Sequence, residues 1–150
     1  MGHTYANLLV HVIFGTKDRQ PSIQDDFRER LHEYLGGIVN GEAGRSLCVG
    51  GTMDHVHALI VLKTDVTLAH ALNRMKSLSS GWVKHTFPTA ADFAWQTGYG
   101  AFSVSESNVD RVVGYIKRQA EHHQTRTFAE EFTEFLTRHR VPYDPMKLWE

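Results

Sequence analysis

The run His55-Val-His-Ala-Leu-Ile-Val-Leu62 constrains the fold more than any other segment of the chain. As a strand it sends Val56, Ala58, Ile60 and Leu62 to one face and His55, His57, Leu59 and Val61 to the other. A strand with apolar side chains on both faces is stable only where something covers each face. The chain must therefore supply cover for two sides of a sheet.

The flanking segments supply the other elements. Tyr5 to Phe14 alternates with Leu8, Val10, Val12 and Phe14 on one face and reads as a strand. From Pro21 and Ser22 a helix is predicted through Phe27, Leu31, Tyr34, Leu35 and Ile38, ended by the glycines from Gly36 to Gly44. Arg45 to Gly50 and His55 to Lys63 read as strands joined by the turn Gly51-Thr-Met-Asp54. A second helix with the stripe Leu68, Ala71, Leu72, Met75 runs to about Lys84 and is broken at Phe87-Pro88. Phe93 to Val104 is predicted to be a bent strand or short hairpin, and a third helix to span Asn108 to His122. Thr127-Phe-Ala-Glu130 is a capping box opening a fourth helix to about His139, before an irregular tail docked through Trp149.

The order β-α-β-β-α-β matches a split βαβ, ferredoxin-like α+β fold, an antiparallel sheet with two helices on one face. The third helix, with its stripe Val109, Val112, Val113, Ile116 and Ala120, is the spare element that can cover the second face. One domain over residues 1–150 is expected, with the C-terminal helix and tail, 127–150, appended.

Composition sets limits. With 41% hydrophobic and 22% charged residues in 150, the chain is neither disordered nor low-complexity. The longest apolar run, Ala58 to Leu62, is too short for a bilayer, and no apolar signal region follows Met1. One cysteine, Cys48, excludes an internal disulfide framework and suits a reducing cytoplasm. The net charge of −1 makes no global case for nucleic acid. Ten histidines stand out, because histidine is the commonest metal ligand.

His55 and His57 project from one strand face, so two imidazoles can converge on one cation. The plainer reading is two histidines satisfied by hydrogen bonds at a strand end, and a metal site needs a third ligand besides. Tyr115 and Gln119, spaced i and i+4 on the flank of the third helix, lie near both histidines if that helix packs on the second sheet face. A half-buried tyrosine beside a solvated glutamine is the plainer reading there. What favours the functional one is that both features point to one sheet face. His11 reads as packing or as an orienting partner, with packing preferred. Asp54 points away from the paired histidines by strand alternation, and Cys48 is a small core residue.

His55-Val56-His57, the run Val112-Val-Gly-Tyr-Ile-Lys-Arg-Gln119, Trp95-Gln-Thr-Gly-Tyr-Gly-Ala-Phe-Ser103, Gln119-Ala-Glu-His-His123 and the end Pro142-Tyr-Asp144 with Leu148-Trp149 together carry a likeness. In that order they resemble the HUH-type single-tyrosine transposases of small bacterial insertion sequences, including their REP-associated relatives. The resemblance implies that His55, His57 and Gln119 bind Mg²⁺ or Mn²⁺ and that Tyr115 is the nucleophile. It implies cleavage and rejoining of single-stranded DNA with hairpin ends through a 5′-phosphotyrosine link. It further implies a cytoplasmic homodimer in a prokaryotic cell, with tyrosine helices open to exchange between subunits. His122 and His123 are weak candidates for moving the phenol proton.

Lys17, Arg19, Arg74, Lys76, Lys117 and Arg118 are the basic residues considered for nucleic-acid contact, against a reading as solvated faces. Trp95 and Phe102 are considered for base stacking, against a reading as core. On this reading the acidic C-terminal helix, with Glu130, Glu131 and Glu134, cancels the local positive charge in the total. The alternatives are a non-catalytic or domesticated single-strand-binding module, and a metal-dependent nuclease whose nucleophile is water.

Overall fold

The computed structural model describes residues 2–150. Strand β1 (Leu8–Gly15), helix α1 (Arg28–Glu42), strands β2 (Gly44–Gly51) and β3 (His55–Leu62), helix α2 (Leu68–Thr86) and strand β4 (Gly100–Ser103) follow in order. Helices α3 (Val109–Lys117), α4 (Gln119–His122) and α5 (Phe128–Arg138) complete the chain. The four strands form one antiparallel sheet in the order β2-β3-β1-β4, the ferredoxin-like arrangement expected.

The two-faced strand is covered on both sides. On the first face Val56, Ala58 and Ile60 of β3 and Val12 and Phe14 of β1 pack with Leu31, Leu35 and Val39 of α1 and Leu72 and Met75 of α2. On the second face the cover is divided. Leu9 and Leu59 bury Ile116 of α3, while Ile13 and Phe102 meet Phe128, Phe132 and Leu136 of α5. α5 is thus a second lid on a face for which the sequence offered only α3. The site lies in the seam between the two lids.

Four boundaries differ from expectation. The first strand begins at Leu8, since Tyr5 is 92% exposed and has nothing to pack on. The first helix begins at Arg28, not Pro21, and continues through Gly36, Gly37 and Gly41 because burial of Ile38 and Val39 outweighs the cost of glycine. The aromatic segment yields a single four-residue strand and a lone bridge from Trp95 to Thr16. The third helix breaks at Arg118 (φ −101°, ψ 23°), whose N–H is shared between the carbonyls of Gly114 and Tyr115. The capping box of Thr127 and Glu130 forms as expected, and Trp149 docks the tail on Phe128 and Phe132.

Candidate active site

Register brings the histidines together. Ile13 faces His57 and Gly15 faces His55 across β1 and β3, so His11, two residues from Ile13, stands diagonally beside His57 on the same face. His11 Nε2 lies 2.8 Å from His57 Nδ1 and fixes that ring. The preference for packing at His11 is therefore corrected: the residue is buried, but as an orienting partner. The expectation that Asp54 points away from the pair is corrected: it lies in the turn before β3, where strand alternation does not apply, and its Oδ1 accepts from His55 Nδ1 at 2.7 Å, with Thr52 Oγ1 3.1 Å from the same nitrogen. Each histidine thus has Nδ1 engaged from behind and Nε2 turned inward. Phe128 stacks on the His55 ring at 4.2 Å and walls the site.

The inward nitrogens meet a residue that the sequence reading counted only in the charge balance. Glu131 of α5 is 1% exposed, and its Oε1 lies 3.0 Å from His57 Nε2, 3.3 Å from His55 Nε2 and 3.0 Å from His123 Nε2. Its Oε2 accepts from Gln119 Nε2 at 2.9 Å and from the Tyr115 hydroxyl. Gln119 Oε1 in turn lies 2.8 Å from His55 Nε2, so Gln119 is buried in the site and is not a solvated glutamine. Of the acidic residues counted as cancelling local positive charge in the total, Glu131 is committed to the site and Glu134 is paired with Arg126 and, at 3.1 Å, with Arg138. One signal marked Glu131: it falls on the apolar stripe Phe128, Phe132, Phe135 at helical spacing, where a carboxylate needs buried partners.

The electrostatics follow from burial and these partners. Burial lowers the His57 pKa to about 4 against the pull of Glu131, leaving a neutral imidazole at pH 7 with a lone pair to give. Burial opposes protonation of His55 too, but hydrogen bonds to Asp54 and Glu131 outweigh it and raise the pKa. Burial pushes the Glu131 carboxyl up, while hydrogen bonds from His123, His55 and His57 more than reverse that and hold it far below its ordinary range. Burial raises the Tyr115 phenol, and its hydrogen bond to Glu131 adds to the rise, with the Arg126 charge opposing. As it stands, the phenol is the hydrogen-bond donor and Glu131 the anion.

One ligand atom each from His55, His57 and Glu131 lies within 4.8 Å of the others. Two imidazole nitrogens and a carboxylate oxygen, with the Gln119 amide oxygen adjacent, form a donor set that suits Mn²⁺ and is tolerated by Mg²⁺. These side chains fit such an ion.

The model of the family "Transposase IS200 like" matches residues 4–119. The chain belongs to the IS200-like transposase family. That makes it a DNA-cleaving enzyme of the transposase class. Among curated proteins, none matches the chain. Of solved structures, a Deinococcus radiodurans protein assigned as a transposase shares 22% identity at a TM-score of 0.62, covering 79% of this chain and 96% of its own. A REP-associated tyrosine transposase bound to a REP hairpin shares 11% identity at a TM-score of 0.60, covering 82% of this chain and 73% of its own. At these identities the two structures speak for the fold. Glu131 lies beyond the matched residues, so the family pattern does not mark it.

The basic candidates scatter. Lys117 and Arg118 are exposed at the end of α3, and Lys17 and Arg19 are exposed after β1, with Arg19 over the Trp149 ring at 4.3 Å. Arg74 is paired with Glu42 across α1 and α2, and Lys76 donates to the carbonyls of Thr97 and Gly98 at 2.9 and 2.7 Å. Phe102 is core, and half-buried Trp95 donates its indole N–H to Ser79, as the plainer reading held. Cys48 is half-buried on β2 beside the Ile116 cluster. No helix among the described residues is long and apolar enough to cross a membrane.

Proposed function

We propose that this transposase cleaves and rejoins single-stranded DNA at mobile-element ends, with Tyr115 as nucleophile. The observation that carries the reading is that the Tyr115 hydroxyl, Gln119, His55 and His57 all converge on one buried carboxylate, Glu131. His55, His57 and Gln119, joined by Glu131, would hold Mg²⁺ or Mn²⁺. A bound ion would neutralise charge growing on the oxygens of the scissile phosphate. Asp54 and His11 keep the two imidazoles in orientation.

In the proposed step the Tyr115 Oη–phosphorus bond forms as the phosphorus–O3′ bond breaks, and the electron pair leaves on O3′, which takes a proton from water. The phenol proton passes to solvent as the bond forms. Attack by another 3′-hydroxyl on the phosphotyrosine reverses the sequence, so rejoining needs no ATP. A groove lined by Arg28, Thr52, Met53, His123 and Gln124 reaches the partners of His55 and Glu131, Thr52 and His123, and on this reading the single strand enters along it. Lys117, Arg118, Lys17 and Arg19 are the proposed phosphate contacts, joined less directly by Arg74 and Lys76 on α2. We further propose one domain over residues 1–150, a hairpin-bearing DNA partner, a cytoplasmic location and a homodimer. Tyr115 and His57 share Glu131 within one chain, and in the proposed homodimer the tyrosine helices are open to exchange between subunits.

The test incubates the protein with Mn²⁺ and a hairpin-bearing single strand, followed by a denaturing gel. A covalent protein–DNA adduct that is lost in Tyr115→Phe is the expected result. Cleavage without adduct would leave a nuclease using water, and binding alone a non-catalytic module.

A further inference from the structure

Arg126 stands in the link between α4 and α5, outside the residues matched by the family. Its Nη2 donates to Tyr115 Oη at 2.7 Å and lies 3.7 Å from Glu131 Oε2, while Nη1 is paired with Glu134. Among the described residues it is the one basic side chain hydrogen-bonded to Tyr115; Lys117 and Arg118 on the same helix are not. A guanidinium does not deprotonate at any working pH, and its planar N–H groups match the oxygens of a phosphate.

A phosphorus joined to Tyr115 Oη carries its non-bridging oxygens one bond further out, in the space that Nη2 of Arg126 borders. We propose that Arg126 binds the scissile phosphate. This rests on Tyr115 being the nucleophile. As the Oη–phosphorus bond forms and the phosphorus–O3′ bond breaks, the Nη2 hydrogen bond passes from the phenol oxygen to a non-bridging oxygen. It then holds the 5′-phosphotyrosine until a 3′-hydroxyl attacks. Glu134 keeps the guanidinium in place through Nη1, so the donor is set before the charge develops. Drawing Glu131 towards a cation at the histidines would free Nη2 from its second anion for the phosphate.

The test uses the full chain with Mn²⁺ and a hairpin-bearing strand, and compares wild type, Arg126→Ala, Arg126→Lys and Tyr115→Phe. Arg126→Ala should slow single-turnover adduct formation on the order of 10²–10³-fold, the usual loss for one donor to a developing oxyanion. Its affinity for uncleaved strand should fall far less than its rate of adduct formation, and Arg126→Lys, which keeps a positive charge beside Glu131 and Glu134, should recover part of the rate. The rate ratio of the two phosphorothioate diastereomers at the scissile position should change between wild type and Arg126→Ala, which a purely structural role would not produce. Adduct formation at the wild-type rate in Arg126→Ala would overturn this proposal alone. So would loss of rate together with loss of folding, if Arg126→Lys folds but keeps the slow rate and the diastereomer ratio is unchanged. A wild type that forms no adduct would overturn the Tyr115 reading and this proposal with it.

Discussion

His32 on α1 carries a buried Nε2 with no hydrogen-bond partner among the described residues. Burial first, then the charges of Arg28 and His55, lower its pKa from 6.5 to about 4. The unfolded chain therefore takes up a proton below pH 6.5 that the folded chain refuses until about pH 4. Stability from this group is complete above pH 6.5 and is lost as pH falls towards 4. For a half-buried ring the loss is about 1–3 kcal/mol. His57 acts in the same direction, whereas His55, with its pKa raised, contributes stability that is lost as pH rises. In urea titrations at pH 7 and pH 4.5, His32→Leu should lose about 1–3 kcal/mol less than wild type on acidification; equal losses would refute the assignment. At this scale the sequence was legible where spacing alone placed residues together, as with His55 and His57 on a strand or Tyr115 and Gln119 on a helix. Glu131 was not, because acidic residues after a capping box already have a meaning as partners of the helix dipole. Its place on the apolar stripe Phe128, Phe132, Phe135 is the signal that reading passed over, and the turn of α5 onto the sheet carries it inward.

Glycines in α1 and β2 separate local preference from packing. A Cβ at Gly37 or Gly41 would meet nothing, and both positions are exposed on α1. Gly37→Ala and Gly41→Ala should each stabilise by about 0.5–1 kcal/mol, since alanine loses less backbone freedom in a helix. A Cβ at Gly50 on β2 would lie 2.6 Å from the carbonyl oxygen of Ile116 and 2.8 Å from its Cγ2. Gly50→Ala must push α3 off the sheet, at a cost of about 1–3 kcal/mol, and should slow adduct formation because Tyr115 rides on that helix. Chemical unfolding of the three variants reads both signs, and a destabilised Gly37→Ala or a neutral Gly50→Ala would refute the packing argument. The same glycines account for the misplaced end of the first helix: their intrinsic cost was visible, the compensating burial of Ile38 and Val39 was not. The break at Arg118 was hidden for a similar reason. Nothing local opposes a continuous helix there, and the interruption coincides with the Gln119 amide turning into the buried cluster.

Across the whole molecule, the candidate metal ligands join elements far apart in sequence. His55 and His57 stand on β3 in the sheet interior, Gln119 opens α4, and Glu131 comes from α5. The two-faced strand forecast that the second face needed a lid, and the fold class followed from the element order. That the lid comes in two halves with the site in their seam was not legible, because each half buries an ordinary apolar stripe. A cation held in that seam binds the folded chain and has no assembled site in the unfolded one, so binding must raise stability. At a free concentration 100 times the dissociation constant the gain is about 2.7 kcal/mol, which in a chain of this size moves the thermal midpoint by roughly 5–10 °C. After treatment with a chelator, wild type melted at pH 7.5 with excess Mn²⁺ should show that rise, and renewed chelation should remove it. His57→Gln, which keeps the volume but not the imidazole, should show little or none. At this pH a neutral His57 loses no proton to bind, so the shift should shrink as pH falls towards 4. An unchanged midpoint in wild type, or an equal rise in His57→Gln, would mean that the seam holds Glu131 for packing and that the cation, if used, binds elsewhere.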